Sequence, residues 1–319
     1  MEVLPTLLTN ASKMFRNDIK VSHHGLMPFH VRLSTDLNET NGGPYSTAAA
    51  IYGYPIGVWN VSHIKDFRGI FAGKTVFNEF IGHWDVSSAT DLSSMFEGAF
   101  DFDQDISAWD VSSVTSLERT FRNALSFNSP LNNWSVDRVT SMSGLFEAAQ
   151  SFNQEVSLWK TFAVTNLNNA FFEAKAFDQP LNSWSVDRVN DMTRLFMGSS
   201  FNRPLDTWNT ASVEFMNQMF DGTPFNADIS MWSVSTVYGF FGMFQNCLNF
   251  NQDLGTWRLS NARNLNQMFV NSALNQSLCA WQDYIPVTAT VEGMFEDSAC
   301  IDTSTPSLGG TASSFCHPC

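Results

Sequence analysis

The ten tryptophans of this chain are spaced almost evenly, and this spacing constrains the fold more than any other feature. They recur every 24 or 25 residues, from Trp59 to Trp281. Because Trp is rare in proteins, the spacing indicates a short unit copied about ten times. A unit of this length cannot bury its own apolar face, so it must be stabilised by packing on its neighbours. We therefore expect the 319 residues to form one elongated repeat body rather than two globular domains.

Other positions repeat with the tryptophans and form columns through the units. The third residue before each Trp is aliphatic, and the twelfth residue after it is Phe in nine repeats. Six residues before each Trp, from Trp84 onward, stands Asn or Asp, which we call the Asn/Asp column. Its members are Asn78, Asp103, Asn128, Asn153, Asp178, Asn202, Asn226, Asn251 and Asn275. We interpret it as a structural ladder that bonds backbone groups of the next repeat, since an unpaired buried group costs about 1–3 kcal/mol. The alternative is a row of ligand-binding amides.

The segment from five to fifteen residues after each Trp predicts a short helix. In the second repeat, Ala89, Leu92, Phe96 and Ala99 would form one apolar stripe. Thr90 is then an N-cap, and a Gly or Asn such as Gly98 ends the helix. The rest of each unit has the β-branched composition of an extended strand. The fold class predicted is α/β: a right-handed, leucine-rich-repeat-like solenoid of about ten coils, each with one short strand and one short helix.

Three segments follow from the extent of the repeat. Residues 1–55 do not match the pattern and are expected to be a lead-in or cap, and residues 56–278 form the repeat array. Residues 279–319 form the final coil and a cysteine-bearing cap. Met1–Phe15 lacks the basic start and apolar stretch of a signal peptide, so we expect either a processed chain or part of a longer product.

Four of the five cysteines lie within the last 41 residues: Cys279, Cys300, Cys316 and Cys319. They predict two disulfides that hold the terminal cap, and hence an oxidising compartment. We expect Cys279 to pair with Cys300 and Cys316 with Cys319, although a Cys279–Cys316 pair is not excluded by the sequence. A zinc site that includes His317 is the rival hypothesis.

Several motifs resemble those of a known family. Trp84-Asp-Val-Ser-Ser-Ala-Thr-Asp-Leu-Ser-Ser-Met-Phe96 and Phe250-Asn-Gln-Asp-Leu254 resemble the BspA-like surface-protein repeat, first grouped as a mycoplasma domain of unknown function. The likeness covers about Ile56 to Phe295. The cysteine-bearing tail is similar to that of family members from marine unicellular algae. The resemblance implies secretion or surface display, with a role in adhesion or assembly, and supplies no catalytic residues.

The sequence carries little that indicates catalysis or a cofactor. We find no nucleophile elbow, phosphate-binding loop or dinucleotide fingerprint, and we expect no enzymatic activity. The net charge of −14 argues against nucleic-acid partners, and no apolar run is long enough to span a membrane. His23, His24 and His30 are interpreted as a solvated cluster rather than a metal site. Acids that recur four residues before Trp predict a solvated edge, with calcium as the alternative: Asp105, Glu155, Asp228 and Asp253.

The variable surface positions indicate where partners would bind. Leu158, Phe162 and Met231 interrupt positions that are otherwise polar, so we expect a docking surface for other copies or other surface proteins. Sequons predict glycosylation at Asn10, Asn38, Asn60 and Asn133, whereas the sequon at Asn275 is expected to be too buried. The leading hypothesis is an extracellular structural or adhesive protein, such as a coat, filament or appendage subunit. The alternative is a module that recognises glycan or a partner protein.

Overall fold

A computed structural model describes residues 56–309 and 314–319. Regular secondary structure is sparse in these residues. Two 3₁₀ helices span Ile56–Val58 and Cys279–Asp283, and two short strands, β1 and β2, span Ser314–Phe315 and His317–Pro318. The strands pair antiparallel, with Phe315 opposite His317. The predicted segment 1–55 lies outside the described residues.

The repeats stack on one another through parallel backbone pairing. An isolated parallel bridge joins Asp66 to Asp91, the next joins Asp91 to Ser116, and the series continues to the pair of Asn264 and Thr290. Successive bridges are 24 to 26 residues apart, which is the repeat period. Each predicted strand is therefore reduced to one bridged residue per repeat in the described part of the chain.

The predicted helix of each repeat is wrong, because the described residues contain no α-helix. In the second repeat, the amides of Leu92 and Ser94 donate to carbonyls of the following repeat, at 3.2 and 2.8 Å. The amide of the next residue, Met95, instead closes a turn within the repeat by donating to the Leu92 carbonyl at 3.0 Å. Ser94 and Gly98 also have positive φ angles of 55° and 71°, which an α-helix does not accommodate. The backbone thus forms a run of turns whose hydrogen bonds alternate within and between repeats.

Thr90 also has a different role from the predicted helix N-cap. Its amide and its hydroxyl both donate to the carbonyl of Lys65 in the preceding repeat, at 2.8 and 3.2 Å. The same hydroxyl-to-carbonyl bond recurs at Thr115, Thr140 and Thr165. The apolar spacing that predicted a helix marks inward-facing positions of the turns, since Leu92 and Phe96 are fully buried.

Stacked aromatic rings fill the centre of the molecule. The ring centroid of Phe96 lies 5.6 Å from that of Phe71 and 5.5 Å from that of Phe121, with nearly parallel planes. Within the same repeat, the ring of Phe102 lies 3.9 Å from that of Phe96. These stacks extend through successive repeats, so each phenyl ring packs both on a partner in its own repeat and on equivalent rings of the neighbouring repeats.

The tryptophans stack in the same way and also pair a backbone carbonyl. The Nε1–H of Trp84 donates to the Ile56 carbonyl at 3.0 Å, and that of Trp159 donates to the Leu131 carbonyl at 2.9 Å. The other tryptophans from Trp109 to Trp281 make the equivalent bond to the carbonyl of an aliphatic residue of the preceding repeat. Because an unpaired buried carbonyl is costly, this bond explains why Trp rather than Phe occupies the column.

Candidate functional site

The Asn/Asp column forms a continuous hydrogen-bonded ladder along one edge of the stack. The Oδ1 of Asn78 accepts from the backbone amide of Asp103 at 3.0 Å, and the Oδ1 of Asp103 accepts from the amide of Asn128 at 2.8 Å. The same bond joins every later pair as far as Asn251 and Asn275. The bond needs only a side-chain oxygen that accepts, which explains why either Asn or Asp can occupy this position.

The ladder ends on a side chain from the cap. Within the described residues, Asn275 is the last member of the column, and its Oδ1 lies 3.0 Å from the Nε2 of His317. We expected Asn275 to be too buried to carry a glycan. The expected burial is wrong, since this residue is exposed. The ladder lies at a solvated edge of the stack, since its residues are exposed or half-buried. Its side chains nevertheless bond backbone amides of the next repeat. The repeat pattern does not indicate that His317 takes the place of the next amide.

The four clustered cysteines form two disulfides, but the expected pairing is wrong. Cys279 pairs with Cys319 and Cys300 pairs with Cys316, with Cα–Cα distances of 5.5 and 4.7 Å. The reason is that the tail folds back on the last repeat: Cys316 lies between β1 and β2, and its carbonyl accepts from the amide of Asp302 at 3.0 Å. This bridge brings Cys316 next to Cys300, and Cys319 then lies beside Cys279.

The tail also covers the apolar end of the array. Phe315 is fully buried, and its carbonyl accepts from the amide of Leu278 at 3.1 Å. Phe295, although shifted along the sequence, still stacks on Phe269 with ring centroids 5.7 Å apart. The cap therefore supplies the core contacts and backbone partner that a further repeat would provide.

The acidic side chains that recur four residues before Trp accept hydrogen bonds within local turns. Asp105 and Asp228 are exposed, and each accepts a hydrogen bond from the amide two residues ahead, as does Asp253. Hydrogen bonds from Ser107 hold the pKa of Asp105 below its usual value, and those from Ser230 do the same for Asp228. Glu155 is bonded to the hydroxyl of Ser157 instead. Within the part of the chain that the structure describes, no group of three potential metal ligands comes together.

Two titratable groups lie in the interior near one another. The carboxylate of Asp221 accepts from Asn246 and Gln218 at 2.9 and 3.1 Å, and burial raises its pKa. Burial likewise raises the pKa of the Cys247 thiol to about 12. Cys247 donates to the Phe220 carbonyl at 2.9 Å and is a thiol rather than a thiolate at neutral pH. It is the small buried residue expected from its column.

The predicted docking residues are all exposed, but they do not lie in one cluster. Leu158 and Met231 occupy the same position, directly before a Trp, and are 67% and 82% exposed. They are three repeats apart, with Ser183 and Thr207 between them in that column. Phe162 lies on the same repeat as Leu158 and is 51% exposed.

Two of the glycosylation candidates can be placed. Asn60 and Asn133 are exposed, as expected of positions that face water. The Oδ1 of Asn60 accepts from both the amide and the hydroxyl of Ser62, its sequon partner. The other two candidates, Asn10 and Asn38, lie outside the described residues, as do the three histidines His23, His24 and His30.

A cleft of about 420 Å³ lies where the tail meets the last three repeats, and sequence reasoning missed it. Its lining includes Phe241, Gln267 and Glu292 on the repeat side. Thr303 and Ser304 line the side formed by the tail. One signal was present in the sequence: Phe241 is the single aromatic residue at the ninth position after Trp in the repeats from Trp59 to Trp257.

Comparison with known proteins places the chain in a family. The family model described as "Mycoplasma protein of unknown function, DUF285" matches residues 44–157, 130–224 and 197–307, and so covers most of the chain. The chain belongs to this family. The overlapping matches agree with a tandem repeat. Neither a curated protein nor a solved structure matches the chain.

Among the helices of the described residues, none has the length and hydropathy that a bilayer span requires. The two disulfides are typical of proteins in oxidising compartments.

Proposed function

We propose that the stacked repeats form a right-handed, leucine-rich-repeat-like solenoid, and that this member of the family is of the BspA-like, algal type. The regular parallel bridges support the first part, because parallel crossover connections are right-handed in nearly all proteins. The cysteine-bearing cap supports the second part. Stacked strands about 4.8 Å apart would give ten repeats a length of about 45 Å.

We further propose that the protein is an extracellular structural or adhesive subunit that assembles with further copies of itself into a coat, filament or appendage. The two disulfides favour an oxidising location. Asn60 and Asn133 would carry glycans, since both are exposed sequons. The repeat architecture supplies a long, regular surface on which contacts can recur.

The observation that carries this proposal is the exposure of apolar side chains directly before Trp. Met231 is 82% exposed and Leu158 is 67% exposed. The other residues of their column are mostly small or polar: Val58, His83, Ala108, Asn133, Ser183, Thr207, Thr256 and Ala280. Neither side chain contributes to the core, so folding does not explain their apolar character. Because both residues occupy the same position of the repeat, they lie on the same side of the stack. A second copy bound along that side would cover both.

Sedimentation velocity and negative-stain electron microscopy test the proposal directly. We expect the wild-type chain to form oligomers, filaments or sheets whose proportion rises with concentration. The double variant Leu158→Ser with Met231→Ser should shift the chain to monomer, since both substitutions introduce the residue of Ser183 in that column. Its thermal stability should be unchanged, because the replaced side chains are in solvent.

A matched control is available at Leu248, which is 66% exposed but lies in a different column. The variant Leu248→Ser should assemble like the wild type. A wild-type chain that stays monomeric at high concentration would overturn the proposal. Equal loss of assembly in the control and the double variant would show that the contact is not specific to this column.

A further inference from the structure

The cleft between the cap and the last repeats has the composition of a saccharide site, and we propose that it binds a neutral sugar. This proposal is independent of self-assembly, since its residues are distinct from Leu158, Phe162 and Met231. It also gives a location to the hypothesis of glycan recognition. The argument rests on the aromatic wall, the fixed polar groups and the charge of the lining.

Phe241 provides the aromatic wall. In other repeats its column holds smaller or polar residues that are half-buried, such as Ser93, Ser143 and Asn217. Phe241 is only partly buried and lines the cleft, so packing of the core does not account for it. An aromatic face at the wall of a polar cleft suits the axial C–H groups of a pyranose ring.

The polar groups that line the repeat side of the cleft with Phe241 are held in place by the backbone. The amide of Glu292 donates to the Oδ1 of Asn266 at 2.9 Å, and the carbonyl of Glu292 accepts from the amide of Gln267 at 2.9 Å. These two bonds fix the base of the Glu292 and Gln267 side chains. A carboxylate and an amide side by side offer both acceptors and donors to neighbouring sugar hydroxyls.

The far wall comes from the tail and is fixed by the cap. Asp302 donates its amide to the Cys316 carbonyl and accepts from the amide of Ser304 through Oδ1, at 3.0 and 2.9 Å. The Cys300–Cys316 disulfide anchors this segment. Thr303 and Ser304, which line the cleft, are therefore held in place before a ligand binds, which lowers the entropic cost of binding.

The charge of the lining selects among sugars. Among the described residues that line the cleft, Glu292 and Glu296 are the charged ones, and no Lys or Arg is present. Uronic acids and sulfated sugars would be repelled by these carboxylates. A neutral hexose is the ligand class that fits both the charge and the single aromatic wall.

Saturation-transfer NMR with the oxidised full-length chain tests this assignment. The probes are laminaritetraose, cellotetraose and mannotetraose as neutral sugars, and an alginate tetramer as the anionic one. We expect transfer to at least one neutral probe at millimolar concentration and none to the alginate tetramer. Phe241→Ser should weaken binding about tenfold, as expected for loss of an aromatic contact.

Phe162→Ser is the matched control, since it removes an exposed phenyl ring elsewhere and should bind like the wild type. Glu292→Gln, which keeps the shape of the cleft, is a second variant and should alter the relative affinities of the neutral probes. Absence of transfer to every neutral probe would overturn the proposal. So would binding that Phe241→Ser and Glu292→Gln both leave unchanged, or stronger binding of the alginate tetramer.

Discussion

At the level of single residues, the side chains of the Asn/Asp column and of the tryptophans satisfy backbone groups of neighbouring repeats. The Oδ1 of Asn153 accepts from the amide of Asp178 and from the Nε2 of Gln179, both at 3.0 Å. Trp184 donates its Nε1–H to the Val156 carbonyl at 3.0 Å. Because each bond crosses between repeats, a substitution at one position weakens the contact between two units.

Asn153→Leu should therefore destabilise the protein by about 1–3 kcal/mol, since two donors of the next repeat lose their acceptor. Asn133→Leu should change stability little, because Asn133 is an exposed residue outside the ladder. Thermal unfolding of unglycosylated protein compares the two. Asn153→Asp is the control that keeps the acceptor oxygen and should resemble the wild type. Equal melting shifts for both leucine variants would contradict the ladder.

At the level of the repeat element, two residues with positive φ set the course of the turns. They lie four positions apart, as do Ser94 and Gly98 in the second repeat and Gly144 and Ala148 in the fourth. The second of these positions is Gly in several repeats, which the left-handed region favours, but Ala148 adopts a φ of 54° there. This pair of positions, rather than a helix, is the local signature of the unit.

Ala148→Gly should stabilise the protein by about 0.5 kcal/mol. The left-handed conformation costs a non-glycine residue roughly 1–2 kcal/mol, which exceeds the roughly 0.5–1 kcal/mol that the flexibility of Gly costs. Ala149→Gly is the matched control: this neighbour is fully buried and has no positive φ, so losing its methyl should destabilise by about 1–2 kcal/mol. Denaturant unfolding measures both, and effects of the same sign would contradict the assignment.

At the level of the whole molecule, the regular columns were predictable and the irregular contacts were not. The Trp spacing specified the repeat, and the Asn/Asp pattern located residues such as Asn153, because both are periodic in the sequence. The helix prediction failed because an i, i+3, i+7 spacing of apolar residues also arises from successive turns whose hydrogen bonds cross between repeats. The pairing of Cys300 with Cys316 and the role of His317 depend on the path of the tail, which has no periodicity to indicate it.

The cap gives the last prediction, because it closes the end of the stack where another repeat would otherwise be needed. Cys300→Ser with Cys316→Ser should release the strand that carries Phe315 from the last repeat. Closing a loop of about 15 residues with a disulfide stabilises the fold by roughly 3 kcal/mol in the chain-entropy treatment. Hydrogen exchange should therefore speed up roughly 100-fold at the amide of Leu278, which donates to the Phe315 carbonyl.

The effect should be local, since each repeat contacts mainly its neighbours. Amides around Trp134, several repeats away, should exchange as in the wild type, and Cys247→Ala should leave exchange in the cap unchanged. Disulfide mapping gives the independent check: no Lys or Arg follows Arg263, so cleavage at acidic residues must separate Cys279 from Cys300. A linkage between those two cysteines, or rapid exchange throughout the array in the double variant, would contradict a cap that protects only the end of the stack.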